Sequence, residues 1–307
     1  MNEIRFDGRV AIVTGAGGGL GRAHALLLAS RGAKVVVNDL GGTRDGTGAS
    51  HNMADLVVQE IRNAGGEAVA NYDGVDTLAG GEAIVRTAVD AFGKVDIVIN
   101  NAGILRDRAF HNLTEEDWDR VLAVHLKGAF NVTQPAFRVM RQNSYGRVVL
   151  TSSASGIYGN FGQSNYAAAK MALIGLMNVL ELEGARYNIK VNTIAPVAAS
   201  RLTVDVLPPP ILERMKPELV SPLVAYLSSE ECQESGSIFT VGGGYISRIA
   251  IIEGNGVFLD SEREVTIEAV RRSFLQVKDM AGAREFADLN DEITTRVFSR
   301  IMKEAAE

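Results

Sequence analysis

Short apolar segments alternate with helical patterns from residue 9 to about residue 245, and this alternation constrains the fold most. The segments are rich in Val and Ile and lack a polar–apolar alternation, which is typical of strands covered by helices on both faces. The rhythm predicts an α/β, Rossmann-type, doubly wound parallel sheet of about seven strands. We expect strands at residues 9–14, 34–38, 67–72, 95–100, 146–151, 190–194 and 238–241. Helices are expected at residues 20–31, 50–63, 81–92, 118–140, 165–185 and 220–227.

The strand–helix rhythm ends before the chain does. A length of 307 residues fits one large domain or two. We expect one domain over residues 1–247 and a C-terminal helical extension over residues 248–307. Ser261–Glu264 has the form of a helix capping box. Two sets of apolar residues at helical spacing follow it: Ile267, Val270, Phe274 and Val277, then Phe286, Leu289, Ile293, Val297 and Ile301.

Composition excludes several classes of protein. A hydrophobic fraction of 46% and a net charge of −6 exclude a disordered chain and disfavour electrostatic nucleic-acid binding. The single cysteine excludes an internal disulfide framework. No apolar run approaches the roughly 20 residues that span a bilayer, and the N-terminus lacks a signal-peptide pattern. The four histidines show no metal-ligand spacing. We therefore expect a cytoplasmic protein without membrane insertion, nucleic-acid partner or metal.

A glycine-rich turn, TGAGGGLG at residues 14–21, joins the first predicted strand to the first predicted helix. Glycine lets the backbone approach a pyrophosphate closely, and the helix N-terminus offers free N–H groups. This context predicts a dinucleotide site, although a flexible turn would also use glycine. The candidate cofactor-binding residues here are Gly15, Gly19, Leu20 and Gly21.

Polar residues follow two further predicted strands. Asp39 ends the second strand, where a carboxylate can accept both hydroxyls of an adenosine ribose and would repel a 2′-phosphate. This predicts NAD as the cofactor, while a turn-forming aspartate is the alternative. Asn101, Ala102 and Gly103 follow the fourth strand. The asparagine amide could contact the cofactor or tie neighbouring strand ends together, and a simple turn is again possible.

Tyr166 and Lys170 lie at i and i+4, on one face of a predicted helix. A nearby ammonium, together with a nicotinamide cation, would favour the phenolate and bring a tyrosine into range as a general acid/base. Ser153 lies thirteen residues earlier, at the C-terminal end of the fifth strand, where open α/β sheets place ligand sites. It could donate a hydrogen bond to a substrate oxygen, although a serine there is also a common helix cap.

These motifs, in this order and spacing, resemble those of the short-chain dehydrogenase/reductase family. The resemblance implies that Tyr166 is the general acid/base, that Lys170 holds the nicotinamide ribose and lowers the pKa of Tyr166, and that Ser153 orients the substrate oxygen. It also implies cofactor contacts for Asp39 and Asn101. The resemblance further implies that Gly74 and Val75 line the adenine pocket. Residues 198–201 would contact the carboxamide or phosphate region of the cofactor.

The segments VNDLGG (37–42), NAGILRDR (101–108) and TSSASGIYGNF (151–161) resemble one branch of that family. This branch contains (3R)-hydroxyacyl-CoA dehydrogenases, found as one part of larger multifunctional enzymes. The resemblance implies NAD-dependent oxidation of a (3R)-3-hydroxyacyl-CoA to the 3-oxoacyl-CoA by hydride transfer to the nicotinamide. The alternatives are oxidation of a steroid hydroxyl or of a steroid side-chain CoA ester, and a non-catalytic dinucleotide-binding protein.

Two expectations concern the long helices. Many family members have an asparagine seven residues after a tryptophan that completes a proton relay, and here that position, counted from Trp118, is His125. His125 could hold the bridging water itself or be a core histidine. The helix over residues 165–185 is apolar nearly all round, so a second subunit or the C-terminal extension would cover its outer side. The resemblance implies a homodimer or homotetramer.

Overall fold

A computed structural model describes residues 3–198, 213–259 and 265–298. The chain divides into two compact units, Met1–Arg248 and Ile249–Glu307. The candidate catalytic and cofactor-binding residues all belong to the first unit.

The first unit is built on a sheet in the order β3-β2-β1-β4-β5-β6-β7-β8. The pairs from β3 through to β7 are all parallel, so the predicted doubly wound parallel sheet is confirmed. The strands are β1 Val10–Thr14, β2 Lys34–Asn38, β3 Glu67–Asn71, β4 Ile97–Asn100, β5 Gly146–Thr151, β6 Ile189–Pro196, β7 Ile238–Gly242 and β8 Tyr245–Ile249.

The sheet has eight strands, so the expected number of about seven was one too low. The additional strand, β8, is joined to β7 by Gly243 and Gly244 alone. Both residues have positive φ, +57° and +87°, which is the conformation of a tight hairpin turn. A connection of two residues can join only antiparallel strands. The prediction relied on strands that alternate with helices, so it missed a strand that follows another strand directly.

Helices cover both faces of the sheet. They are α1 Gly19–Ser30, α2 Asn52–Asn63, α3 Leu78–Phe92, α4 Glu115–Leu122, α5 Gly128–Asn143, α6 Ala154–Tyr158, α7 Ser164–Gly184 and α8 Ser221–Ser228. Short 3₁₀ turns lie at Phe110–Asn112, Ala185–Tyr187 and Pro217–Leu219. α1 packs against α2 and α8, and α3 packs against α5. Every residue of β1, β4 and β5 is buried, so the central strands form the core that positions the site.

The single helix expected over residues 118–140 is observed as two helices, α4 and α5, joined by a π-helical turn. The first, α4, begins at Glu115, because the Thr114 side chain accepts a hydrogen bond from the Asp117 N–H at 3.1 Å and caps it. A π-helical turn at Ala123–Lys127 then separates α4 from α5. π-turns occur frequently at functional sites, and this one contains His125.

The second unit contains α9 Ile267–Val277, α10 Leu289–Glu292 and a π-helical turn at Ile293–Phe298. The Thr266 side chain caps α9 by accepting a hydrogen bond from the Ala269 N–H at 3.1 Å. The expectation that Ser261 caps this helix was therefore wrong, because a threonine five residues later does so, and Ser261–Glu264 itself lies outside the described residues. No residue of α9 or α10 is buried.

Candidate active site

A cleft opens at the carboxyl ends of β1, β2 and β4, between the loops that follow them. It is lined by the turn after β1, the loop after β2, the loops after β3 and β4, and two residues near α4. Nine of the predicted cofactor residues line it: Gly15, Gly19, Leu20, Asp39, Gly74, Val75, Asn101, Ala102 and Gly103. The strand ends of a parallel sheet meet at one edge, which is why residues so far apart in sequence share this cleft.

The glycine turn after β1 has no room for a side chain at Gly15 or at Gly21. A Cβ on Gly21 would lie 2.2 Å from the Gly15 carbonyl oxygen, and a Cβ on Gly15 would lie 2.8 Å from the Cα of Ala102. Gly15 and Gly19 also have positive φ, +63° and +51°, which suits glycine. No side chain caps α1, so its first N–H groups face the cleft as a ready anion site. This cradle fits the pyrophosphate of a dinucleotide.

The Asp39 carboxylate is held at the edge of the cleft by two backbone donors. Its Oδ2 accepts from the Gly17 N–H at 2.8 Å, and its Oδ1 accepts from the Gly41 N–H at 2.7 Å. The bond to Gly41, two residues on, is a turn of the kind aspartate forms. Asp39 therefore both shapes the turn and presents a carboxylate to the cleft.

The Asn101 side chain ties two loops together. Its Nδ2 donates to the carbonyl oxygens of Thr14 at 3.0 Å and Gly15 at 3.1 Å. The N–H groups of Asn101 and Ala102 both donate to the Thr14 hydroxyl at 3.1 Å. Of the alternatives for this asparagine, tying the strand ends together is the one these contacts describe. Residues 199–201 of the expected carboxamide or phosphate segment lie outside the described residues, and Ala198 is buried.

The structure brings Ser153, Tyr166 and Lys170 together beside this cleft. Ser153 precedes α6 and caps it by accepting a hydrogen bond from the Ser155 N–H at 3.1 Å, and its side chain lies close enough to the Tyr166 phenol to lower the pKa of that group in part. The Lys170 Nζ lies 5.6 Å from the centroid of the Tyr166 ring and donates to the Thr151 carbonyl oxygen. The serine is thus both a cap and a partner of the phenol.

The pKa values of the tyrosine and the lysine are shifted mainly by burial. Burial lowers the pKa of Lys170 to about 7. Burial raises the pKa of Tyr166, while the nearby Ser153 side chain lowers it in part. The expected downward shift of Tyr166 by Lys170 is therefore not found in the protein by itself. The Lys170 ammonium lies over the Tyr166 ring, 5.6 Å from its centroid, and donates to the Thr151 carbonyl oxygen.

His125 touches Tyr166, the candidate general acid/base. Its ring meets the Tyr166 ring edge-on, with centroids 5.1 Å apart. The Nε2 lies 2.8 Å from the Ile104 carbonyl oxygen, and the Nδ1 has no partner within the described residues. Burial and the nearby Lys170 hold the pKa of His125 well below its ordinary range. His125 is therefore a neutral, buried ring that supports Tyr166 and faces a small cavity also lined by Lys170 and Asn100.

Sequence reasoning missed Asn165. This fully buried residue accepts a hydrogen bond from the Tyr166 N–H at 2.8 Å through its Oδ1. Its Nδ2 donates to the carbonyl oxygens of Arg106 and Asp117, each at 3.1 Å. The only signal in the sequence was its place immediately before Tyr166. The lining residues of the loop after β2, and Asp76 and Arg120, were also missed.

The described residues contain neither a candidate membrane-spanning helix nor a candidate metal site. No helix there is both long and apolar enough to cross a bilayer. In the same ranges, no three His, Cys, Asp or Glu side chains are grouped as a metal ion would require.

The cleft and the three side chains beside it define a class of protein, an oxidoreductase that uses a nicotinamide dinucleotide and acts on a CH–OH group. The chain belongs to the short chain dehydrogenase family, whose sequence model matches residues 9–203. This confirms the family resemblance inferred from the motifs.

Three relatives are informative. The chain is 54% identical over 276 residues to a short-chain type dehydrogenase/reductase of Mycobacterium tuberculosis, covering 90% of this chain and 96% of the relative. It is 53% identical over 284 residues to the peroxisomal multifunctional enzyme type 2 of Drosophila melanogaster, covering 92% of this chain and 47% of that one. The full-length structure of that enzyme matches with a TM-score of 0.83 and 43% identity, over 98% of this chain and 50% of that chain.

The third relative is the hydroxyacyl-CoA dehydrogenase ChsB1 of Mycobacterium tuberculosis, 37% identical over 264 residues, which are 81% of this chain and 82% of that protein. The likeness to a multifunctional enzyme confirms the branch inferred from residues 37–42, 101–108 and 151–161. The chain spans about half the length of the Drosophila enzyme.

Proposed function

We propose that this chain oxidises the 3-hydroxyl of a (3R)-3-hydroxyacyl-CoA to a 3-oxo group, with NAD as the cofactor. The observation that carries the proposal is the gathering of Ser153, Tyr166 and Lys170. Lys170 lines a small cavity that shares Val75, Ala102 and Val124 with the glycine-lined cleft. The name of the hydroxyacyl-CoA dehydrogenase relative supplies the substrate class.

In this proposal the Tyr166 oxygen takes the proton of the substrate hydroxyl, and Ser153 orients the substrate oxygen by a hydrogen bond. Lys170, anchored on the Thr151 carbonyl, contributes positive charge below the tyrosine ring. The bound dinucleotide supplies the electron-accepting chemistry, as the acceptor of a hydride from the substrate carbon. Gly15, Gly19, Leu20 and Gly21 would hold its pyrophosphate, with Gly74, Val75 and Asn101–Gly103 lining the adjoining walls.

The carboxylate of Asp39 supports NAD rather than NADP. It is 8% exposed, lies in the cleft lining and is fixed by two N–H donors. A fixed carboxylate can accept from ribose hydroxyls, but it repels a 2′-phosphate.

Apolar residues beside Ser153 support a substrate with a long apolar group. α6 begins directly after Ser153 and ends at Tyr158, whose side chain is 74% exposed, and Phe161 is 90% exposed. Phe110 is 76% exposed. Its segment lies beside Phe161, because the Arg108 N–H donates to the Gly162 carbonyl at 2.8 Å. The same aromatic rim also suits a steroid, so a steroid hydroxyl or a steroid side-chain CoA ester is the second candidate.

The test measures NADH formation with 3R- and 3S-hydroxyacyl-CoA, with steroid substrates in parallel. We expect turnover of the 3R ester with NAD and a much lower kcat/KM with NADP. Higher kcat/KM for a steroid would favour the second candidate. Absence of turnover with every hydroxyl substrate would overturn the proposal.

We also propose that the chain forms a homodimer or homotetramer. Apolar side chains of α7 support this, because Met171, Val179 and Leu182 are 40–52% exposed, and a contiguous apolar face on a helix indicates an interaction surface. Light scattering of the purified chain decides: a monomer mass would contradict the proposal.

The domain division and the location stay predictions. We propose a dehydrogenase domain over residues 1–247 and a helical extension over residues 248–307. The division of the chain into two compact units after Arg248 supports this, and limited proteolysis near that residue tests it. The cytoplasmic location is tested by fractionation of the source cells: recovery in the peroxisomal fraction, the compartment in the names of several relatives, would contradict it.

A further inference from the structure

The loop Gly41–Ser50, here called the β2–α2 loop, is organised by its own polar groups. The Thr43 N–H donates to the Thr47 carbonyl at 2.8 Å, and the Gly46 N–H donates to the Thr43 carbonyl at 3.0 Å. The Asp45 carboxylate accepts from the Thr43 hydroxyl and from the Thr47 N–H and hydroxyl. This compact turn places Gly42, Thr43, Arg44 and Gly46 in the wall of the cofactor cleft.

The segment after β4 holds the tip of this loop, and Arg120 of α4 adds a bond from its Nη2 to the Gly46 carbonyl at 3.4 Å. The Leu105 N–H donates to the Arg44 carbonyl at 3.0 Å. The Arg106 Nε donates to the Asp45 carbonyl at 2.9 Å. These bonds fasten the tip of the loop to the chain that follows β4.

The same segment also holds the catalytic tyrosine from the other side. The Arg106 carbonyl accepts from the Asn165 Nδ2 at 3.1 Å, and the Asn165 Oδ1 accepts from the Tyr166 N–H at 2.8 Å. Ile104, two residues earlier, bonds to the His125 ring that packs against Tyr166. Residues 104–106 thus lie between a wall of the cofactor cleft and the start of α7.

The Arg106 side chain is fixed in place. It is 14% exposed, and its Nη1 lies 3.0 Å from Glu116 Oε1 and 3.4 Å from Asp117 Oδ1. A guanidinium held by two carboxylates keeps its remaining N–H groups aimed in one direction. The Nε–H is thereby directed at the Asp45 carbonyl.

We propose that Arg106 is a positioning residue that couples the cofactor cleft to Tyr166. Its side chain holds the β2–α2 loop against the cleft, and its backbone carbonyl holds Asn165 and, through it, Tyr166. A dinucleotide that fills the cleft stabilises the loop, and the Arg106 contacts carry that order to the first turn of α7. This inference rests on the proposed function only in requiring that NAD is the ligand.

The test compares Arg106→Met with the matched control Arg108→Met. Arg108 also pairs with Asp117, at 2.7 Å, but its side chain lies 57% exposed and makes no hydrogen bond to the β2–α2 loop. We expect Arg106→Met to raise the Kd for NAD roughly tenfold, the effect of losing one charge-assisted hydrogen bond. The control keeps the wild-type Kd.

A second readout separates coupling from simple loss of structure. Hydrogen exchange of residues 163–170 is measured with and without NAD. NAD slows exchange there in the wild type and in Arg108→Met, and this response is lost in Arg106→Met. Equal NAD-induced protection in both variants would overturn the coupling, as would equal Kd values.

The loop itself provides the last arm of the test. Asp45→Ala removes the carboxylate that organises the loop tip, and we expect it to weaken NAD binding. Adding Arg106→Met to Asp45→Ala then changes the Kd by less than about twofold, because both changes act through one structure. Fully multiplicative effects would overturn the proposal. If the wild type does not bind NAD at all, the proposed function itself is refuted.

Discussion

The two halves of the site differ in how their polar groups are satisfied. In the cofactor half, both Asp39 oxygens accept backbone N–H bonds, and the Asn101 amide donates to two carbonyl oxygens. In the catalytic half, the His125 Nδ1 and the Thr151 hydroxyl are buried without partners among the described residues. Lys170, also in this half, has a pKa lowered to about 7.

The two halves therefore differ in what fixes their chemistry. The cofactor half is preorganised by backbone geometry, so its shape depends on glycines and on short hydrogen bonds. The catalytic half contains buried groups whose charge is disfavoured, which is how proteins shift pKa values for proton transfer. Changes in the first half should therefore act on cofactor affinity, and changes in the second on rate and on pH dependence.

The largest expected effect is that of Tyr166→Phe. Removing the hydroxyl removes the proton acceptor, and we expect kcat to fall by about 10²–10⁴-fold, the contribution of a positioned acid/base. The Kd for NAD should stay at the wild-type value, because the ring and its contact with His125 remain. Steady-state kinetics and a binding titration measure both. A variant with normal turnover would support the non-catalytic alternative.

A smaller effect, in the other half, is expected from Gly21→Ala. The new Cβ would lie 2.2 Å from the Gly15 carbonyl, so the turn must shift away from the phosphates. We expect the Kd for NAD to rise by about 100-fold, roughly 2.7 kcal/mol.

Gly175→Ala is the matched control for this substitution. A Cβ on Gly175, inside α7, meets nothing within 4 Å. NAD affinity should stay unchanged there, because Gly175 does not line the cofactor cleft. Equal Kd values for the two alanine variants would contradict the rigid cradle described for the cofactor half.

The smallest expected effect is the contribution of Lys170 to the pH dependence of the free energy of unfolding. Its pKa is about 7 in the folded chain against 10.5 as the ordinary value, so the unfolded chain binds more protons between these two pH values. Stability from this group therefore rises with pH across that window, by up to about 1.4 kcal/mol per pH unit. Below pH 7 both states are protonated and the contribution is constant.

Urea unfolding of the wild type and of Lys170→Met at pH 7 and pH 9 checks this. The wild type should gain stability relative to the variant on going from pH 7 to pH 9, because methionine does not titrate. An unchanged difference between the two proteins would show that Lys170 has its ordinary pKa in the fold.

Much of the fold could be predicted from residue patterns. The Val- and Ile-rich runs placed β1, β2, β4 and β5 within a few residues, because buried parallel strands need such runs on both faces. The missed elements were those set by contacts outside their own segment. β8 depends on a hairpin at Gly243 and Gly244, and the start of α9 depends on Thr266 rather than on the box at Ser261–Glu264.

The candidate site divides in the same way. The predicted cofactor residues face one cleft because their spacing along alternating strands and helices brings them to one edge of the sheet. Asn165 and Arg106 could not be predicted, since their importance lies in hydrogen bonds between segments about 60 residues apart. In the chain by itself burial raises the pKa of Tyr166, and spacing alone does not give that depth of burial. The lowering expected beside a bound nicotinamide stays a prediction.

By itself, the sequence determined the parallel α/β fold, the glycine turn and the Ser153, Tyr166 and Lys170 set, because these depend on local periodicity and on short, ordered motifs. Only the tertiary structure decided the partners of Asn101, the placement of Lys170 on the Thr151 carbonyl, the π-turn around His125 and the fastening of the β2–α2 loop by Arg106. Those features depend on desolvation and on hydrogen bonds between distant segments, and both arise only when the whole chain is packed.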